Sequence, residues 1–99
     1  MGVTHDLKTL PVYFDAVERG EKTFEIRRDD RGFQKGDIVR LGRLHPDGGF
    51  CARGGGRTSF FGGAVSLERR ISWILTGGQY GLEPGYVILA LRPVTEAQP

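Results

Sequence analysis

Alternation of apolar and polar side chains dominates this chain and predicts a mainly β protein. Thr4 to Lys8 is short and mixed, and reads as an edge strand. At Val12, Tyr13, Ala16 and Val17 the apolar spacing becomes helical, which predicts a helix packing that face on a core. Pro11 suits its first turn, where a missing N–H costs nothing, and Gly20 suits the left-handed position that ends it. Alternation resumes directly afterwards: Phe24 and Ile26 point one way, Thr23, Glu25 and Arg27 the other, with Lys22 at the strand's mouth. Asp29 to Gly32 and Gln34 to Asp37 read as turns, and Asp37 to Leu44 as a strand through Ile38, Val39 and Leu41. His45-Pro46-Asp47-Gly48-Gly49 is a hairpin signal that returns the chain through Phe50, Cys51 and Ala52. From Ala64 to Leu75, Val65, Leu67, Ile71 and Trp73 share an apolar face, which Arg69 interrupts at a bulge or a rim. Tyr86 to Arg92 closes the fold, with Val87, Leu89 and Leu91 inward.

Short, hairpin-linked strands favour a small barrel, because closure hides the edges. The expected class is therefore α+β, mainly β: a half-open β-barrel of five to six strands with one or two flanking helices. The 99 residues suffice for one domain, placed at 1–93, with a glycine-rich loop over 53–63 and a flexible tail over 94–99. Within that loop Arg53-Gly54-Gly55-Gly56-Arg57 is expected to be mobile, since glycine loses the most entropy on ordering, with Phe60 and Phe61 folding back over it.

Composition narrows the function classes. Hydrophobic content of 38% with charged content of 26% fits a soluble globular protein, and no apolar run reaches the length of a membrane span. The start lacks the basic and apolar regions of a secretion signal, so a cytoplasmic protein with no membrane partner is expected. Cys51 is the single cysteine, which excludes an intrachain disulfide and a multi-cysteine zinc site, and it reads as a small filler beside Phe50. Asp29, Asp30 and His45 lack metal-ligand spacing, so neither a metal nor another cofactor is expected. His5 reads as a solvated imidazole. The net charge is only +2, yet Arg27-Arg28, Arg40, Arg43, Arg53, Arg57 and Arg69-Arg70 form local basic patches, and arginine grips phosphate bidentately.

The sharpest chemistry lies in Lys22 to Arg27, where an ammonium, a hydroxyl, a carboxylate and a guanidinium crowd one strand face. Spacing alone leaves two readings open. One is an ordinary salt-bridged face, Glu25 pairing with Arg27 or Lys22. The other is a site for a small polar ligand, a nucleobase or a phosphate.

Gly20-x-Lys22-x-x-Glu25-x-Arg27 after a helix, followed by Gly36-Asp37 opening a strand, resembles the ASCH family of the PUA-like superfamily. The pattern is more closely similar to the DUF3850 group of phage and bacterial proteins. Its features here are His5 to Lys8, Tyr13-Phe14, Lys22 to Arg27, Asp29 to Arg31, Phe33, Gly36-Asp37, Ile74-Leu75, Gly77 to Leu82 and Gly85 to Leu89. The likeness spans residues 5–92 apart from the glycine-rich loop. It implies a half-open barrel with a cleft lined by Lys22, Glu25 and Arg27, and an RNA or nucleotide partner. Arg28, Gln79, Tyr80, Tyr86, Arg53 and Arg57 are the further candidate binding residues, while Trp73 reads as core. An alternative is a small hydrolase, an amidohydrolase on a modified cytidine nucleoside or a ribonuclease. Lys22 would then act as base, with Thr23 as nucleophile or Glu25 activating water. In the amidohydrolase type the nucleophilic Thr stands three residues after the Lys, where this chain carries Glu25. A third alternative is a phage-type module that binds another protein through Phe60-Phe61.

Overall fold

A computed structural model describes residues 2–94. Its main sheet runs in the order β1 (Thr4–Thr9), β3 (Ile38–Arg43), β6 (Ser66–Thr76), β7 (Tyr86–Pro93) and β2 (Phe24–Arg28). β1 and β3 are parallel and every other pair is antiparallel. A parallel pair needs a long crossover, and here it contains the helix α1 (Pro11–Glu18) and β2. The sheet curls into a half-barrel, so the fold is α+β, mainly β. Its two edge strands are joined by side chains: Arg27 donates to Lys8 O at 2.8 Å, and Arg31 donates to Asp6 O at 2.7 Å. These guanidiniums supply the donors that a neighbouring strand would otherwise bring to an exposed edge.

Strict alternation along β1 turns His5, Leu7 and Thr9 inward, where Leu7 joins Val39, Leu41, Ile71, Val87, Leu89 and Leu91 in the core. The helix closes this core with Phe14 and Val17. Val12 and Tyr13, expected on the packed face, are instead exposed, because an eight-residue helix lying at the open side of the barrel buries only a narrow stripe. Gly20 adopts φ 82° where the chain turns out of the helix, a conformation that a Cβ would strain. Two arginines tie the helix to the sheet. Arg43 forms a bidentate pair with Asp15, at 2.9 and 3.0 Å, and Arg69 donates to Val17 O at the helix end. Arg69 thus interrupts an apolar face in order to cap a helix.

β6 carries a bulge between Ile71 and Trp73. The extra residue shifts the alternation by one, so Ile74 packs inward while Trp73 stands on the outer face, 58% exposed. Trp73 is therefore not core, and the bulge lies at Ser72 rather than at Arg69. The glycine-rich segment joins the two strands of a second, smaller sheet. β4 (Phe50–Cys51) pairs with β5 (Arg57–Thr58), and the turn between them is closed by Gly55 N–H to Ala52 O and Ala52 N–H to Gly56 O. The segment is thus the turn of a short β-hairpin, its backbone groups paired across the turn. Phe61 folds back onto Phe50, with ring centroids 5.1 Å apart, and Gly42 leaves the room: a Cβ there would meet the two rings at 2.8 and 3.0 Å. Phe60 stays exposed. Of the tail expected over 94–99, residues 95–99 lie outside the described residues. No helix among the described residues is long and apolar enough to cross a membrane.

Candidate ligand-binding cleft

β2 is an edge strand, and that decides its chemistry. Leu91 N–H donates to Thr23 O at 2.8 Å and Glu25 stands opposite Leu89, so the ladder to β7 uses every second residue. The peptide groups of Phe24 and Ile26 are left aimed away from β7, at the free edge. The side chains sort in the opposite sense to an ordinary strand. Glu25 turns inward and is 4% exposed, whereas Phe24 and Ile26 stand exposed.

Lys22, Glu25 and Arg27 meet at this edge. Lys22 Nζ donates to Glu25 Oε2 and to Phe24 O, and Arg27 Nη2 donates to Glu25 Oε1 at 3.1 Å. The same Arg27 nitrogen reaches Thr9 Oγ1 at 3.2 Å, while its Nε is buried without a partner. Lys22 also lies over two rings, 5.3 Å from the Tyr13 centroid and 4.7 Å from that of Phe24. A hollow of about 350 Å³ opens here, lined by Tyr13, Lys22, Phe24, Glu25 and Ile26. A second, of about 230 Å³, shares Tyr13, Glu25 and Ile26 and extends past Lys8, Thr9 and Leu10 to Arg27 and Arg28. Together they make a cleft with one buried carboxylate, four cations (Lys8, Lys22, Arg27 and Arg28) and two rings, of the size a small ligand occupies.

The other candidate residues distribute differently. Arg28 lies on the cleft's rim and stacks on Tyr86, 4.9 Å from its centroid, with Nη2 donating to the Tyr86 hydroxyl at 3.1 Å. Tyr86 itself lines a separate hollow with Gly81, Leu82 and Glu83. Gln79 donates to Thr76 O at 2.8 Å, holding its own turn, and Tyr80 projects from that turn with φ 54°. Thr23 is exposed and lines neither part of the cleft. Arg53 and Arg57 sit on the hairpin, bonded to Ala64 O and Asp47 O. Arg43, counted among the basic patches, is neutralised by Asp15. That pairing drives its own pKa far up and, with a second contribution from Arg19, draws the Asp15 carboxyl below its usual range despite some loss of hydration.

Among the lining residues Tyr13 was expected to pack on the core, while Phe24 and Ile26 were expected only to share a face opposite Glu25 and Arg27. The signal that finds them is an apolar alternation on a strand with a charged inward face, which only an edge strand sustains. No group of three or more His, Cys, Asp or Glu side chains among the described residues is placed to hold a metal ion.

The family model described as a domain of unknown function, DUF3850, matches residues 4–91. The chain belongs to that family. The match runs from β1 into β7 and so takes in every residue of the cleft. A search of curated proteins finds no match.

One expectation is reversed elsewhere in the sheet. His5 is not a solvated imidazole: it is buried, its Nε2 lies 2.8 Å from Asp37 Oδ2, and it meets the Phe33 ring edge-on at 4.8 Å. Asp37 also accepts the backbone N–H groups of Val3 and Gln34. Burial pushes its pKa up, but the bonds from His5, Val3 and Gln34 together outweigh that and leave it below the usual carboxylate range.

Proposed function

We propose that this protein is an ASCH-type, PUA-like module of the cytoplasm that binds RNA or a nucleotide in the cleft around Glu25. The observation that carries the reading is the state of Glu25: it is buried, bridges Lys22 and Arg27, and still lines a hollow. A carboxylate has about four acceptor sites and two are taken, so the remainder suit the amino or imino edge of a base. Phe24 and Tyr13 offer ring faces for stacking, and the Ile26 peptide group offers a donor and an acceptor at the free edge. Arg28 and Lys8 line the outer part of the cleft, where a phosphate would sit.

A hydrolytic role finds less support. Thr23 lies outside the cleft, and the Lys22 ammonium already donates to Glu25 and Phe24 O, so neither is arranged as an attacking group and its base.

Fluorescence anisotropy with short single-stranded RNA tests the proposal. Binding should weaken steeply with added salt, and Glu25→Gln should reduce it on the order of tenfold while the fold persists. If the wild-type chain binds neither RNA nor mononucleotide at low salt, the proposal is wrong.

A further inference from the structure

The outer face of the sheet divides sharply. Across β1, β3 and β6 it is polar and self-neutralised: Arg40 lies 3.3 Å from Asp6 and 3.7 Å from Glu68. Across β2, β7 and the end of β6 it is apolar and half-buried to exposed, with Lys22 lying over the Phe24 ring at its edge. Residues paired directly across strands share a face, so Phe24, Ala90 and Trp73 form one row and Ile26, Ile88 and Leu75 the next. Trp73 is 58% exposed, Ile26 52% and Phe24 41%. The register that builds this surface depends on the bulge at Ser72, whose hydroxyl donates to Ala90 O at 3.3 Å.

Cations frame both ends of the rows. Arg70 stands opposite Arg92 beyond the Ala90 row, and Arg28 stands opposite Tyr86 beyond the Ile88 row. A second copy of this chain docking face to face would press these arginines together. A polyanion with flat apolar units is complementary on both counts. The surface is also continuous with the cleft, because Phe24 and Ile26 line both.

We infer that the outer face of β2, β7 and β6 is a stacking platform for single-stranded RNA, which continues onto it from the cleft. The inference rests on the nucleotide reading of the cleft and extends it to the length and strandedness of the ligand. Phe24 and Trp73 flank Ala90 two strand spacings apart, roughly 9.5 Å, and each ring takes one unpaired base. Ala90 leaves the floor between them open. Arg28 at one end, and Arg70 with Arg92 at the other, meet phosphates.

The chain has a single tryptophan, so its emission reports this face directly. The wild type, Trp73→Ala and Glu25→Gln are titrated by calorimetry with uridine monophosphate and with single-stranded RNA about ten nucleotides long, and the two chains that keep Trp73 are also followed by its emission. The RNA should quench Trp73 emission, and Trp73→Ala should weaken it on the order of tenfold without changing mononucleotide affinity. Arg92→Ala, which stands beyond the Ala90 row and lines neither part of the cleft, gives a second variant with the same expected split, by a smaller factor. RNA binding that Glu25→Gln weakens and Trp73→Ala leaves intact would overturn the platform and spare the cleft. Loss of the wild type's binding to both ligands would remove the cleft reading and the platform with it. Equal quenching by duplex RNA, or quenching that follows protein concentration alone, would also overturn it.

Discussion

Glu25 and Asp37 are both buried carboxylates, each 4% exposed, and their partners differ in kind. Asp37 accepts from two backbone N–H groups and one imidazole, at 2.8 to 3.1 Å, and lines none of the hollows described above. Its donors are fixed by the chain, so it staples β1 to the turn before β3. Glu25 accepts from the flexible tips of Lys22 and Arg27 and borders open space. Long side chains can trade one acceptor for another at small cost, whereas a backbone amide cannot move to a ligand. The identity of the donors therefore separates a carboxylate that holds a fold from one arranged to meet a partner.

Asp37→Ala carries the largest expected effect. It strands the N–H groups of Val3 and Gln34 and the His5 ring, and should cost about 3 kcal/mol in urea unfolding, while the folded fraction binds RNA normally. Unchanged stability would break the comparison from the Asp37 side. Glu25→Gln should show the reverse profile: about 1 kcal/mol of stability against an RNA affinity lowered on the order of tenfold, measured by the same unfolding curve and by anisotropy. A large loss of stability would make Glu25 a second staple.

Acid provides a smaller contrast. The folded-state pKa of Asp37 lies below its ordinary 3.8, so the unfolded chain takes up that proton first as pH falls. The stability it contributes is complete above 3.8 and is lost as pH drops through the lower folded value. Asp15, lowered by Arg43, adds a limb of the same sign. Denaturation curves below pH 4 should therefore be flatter in Asp37→Asn than in the wild type. The smallest effect belongs to the rim: Arg28→Ala should weaken RNA a few-fold and reduce the salt slope by about 1, leaving stability unchanged.

Much of the fold was legible because its signals are local. Pro11 and Gly20 bound the helix, alternation marks β1, β3 and β7, and His45 to Gly49 announces a hairpin. The gathering of Lys22, Glu25 and Arg27 was legible for the same reason, since three residues of one strand and its approach share a side. What escaped depends on partners distant in sequence or on a change of phase. His5 is buried by Asp37, 32 residues later, and Arg43 is claimed by Asp15, 28 residues earlier. The bulge at Ser72 moves Trp73 from the inner face to the outer one, and no residue type announces such an insertion. The side on which Phe24 and Ile26 stand was not legible, because a single strand's alternation does not state which side the core is on. That depends on β2 being the last strand of the sheet, with its charged side turned toward Lys8, Thr9 and the helix.

The most direct test of the central claim is an amide NMR titration of the whole chain with short single-stranded RNA. The account predicts shifts concentrated at Lys22, Phe24, Ile26 and Arg28, along the free edge of β2, with Val3, Gln34 and Asp37 unmoved. Shifts centred on the Asp37 staple or the β4–β5 hairpin, with the β2 edge silent, would contradict it.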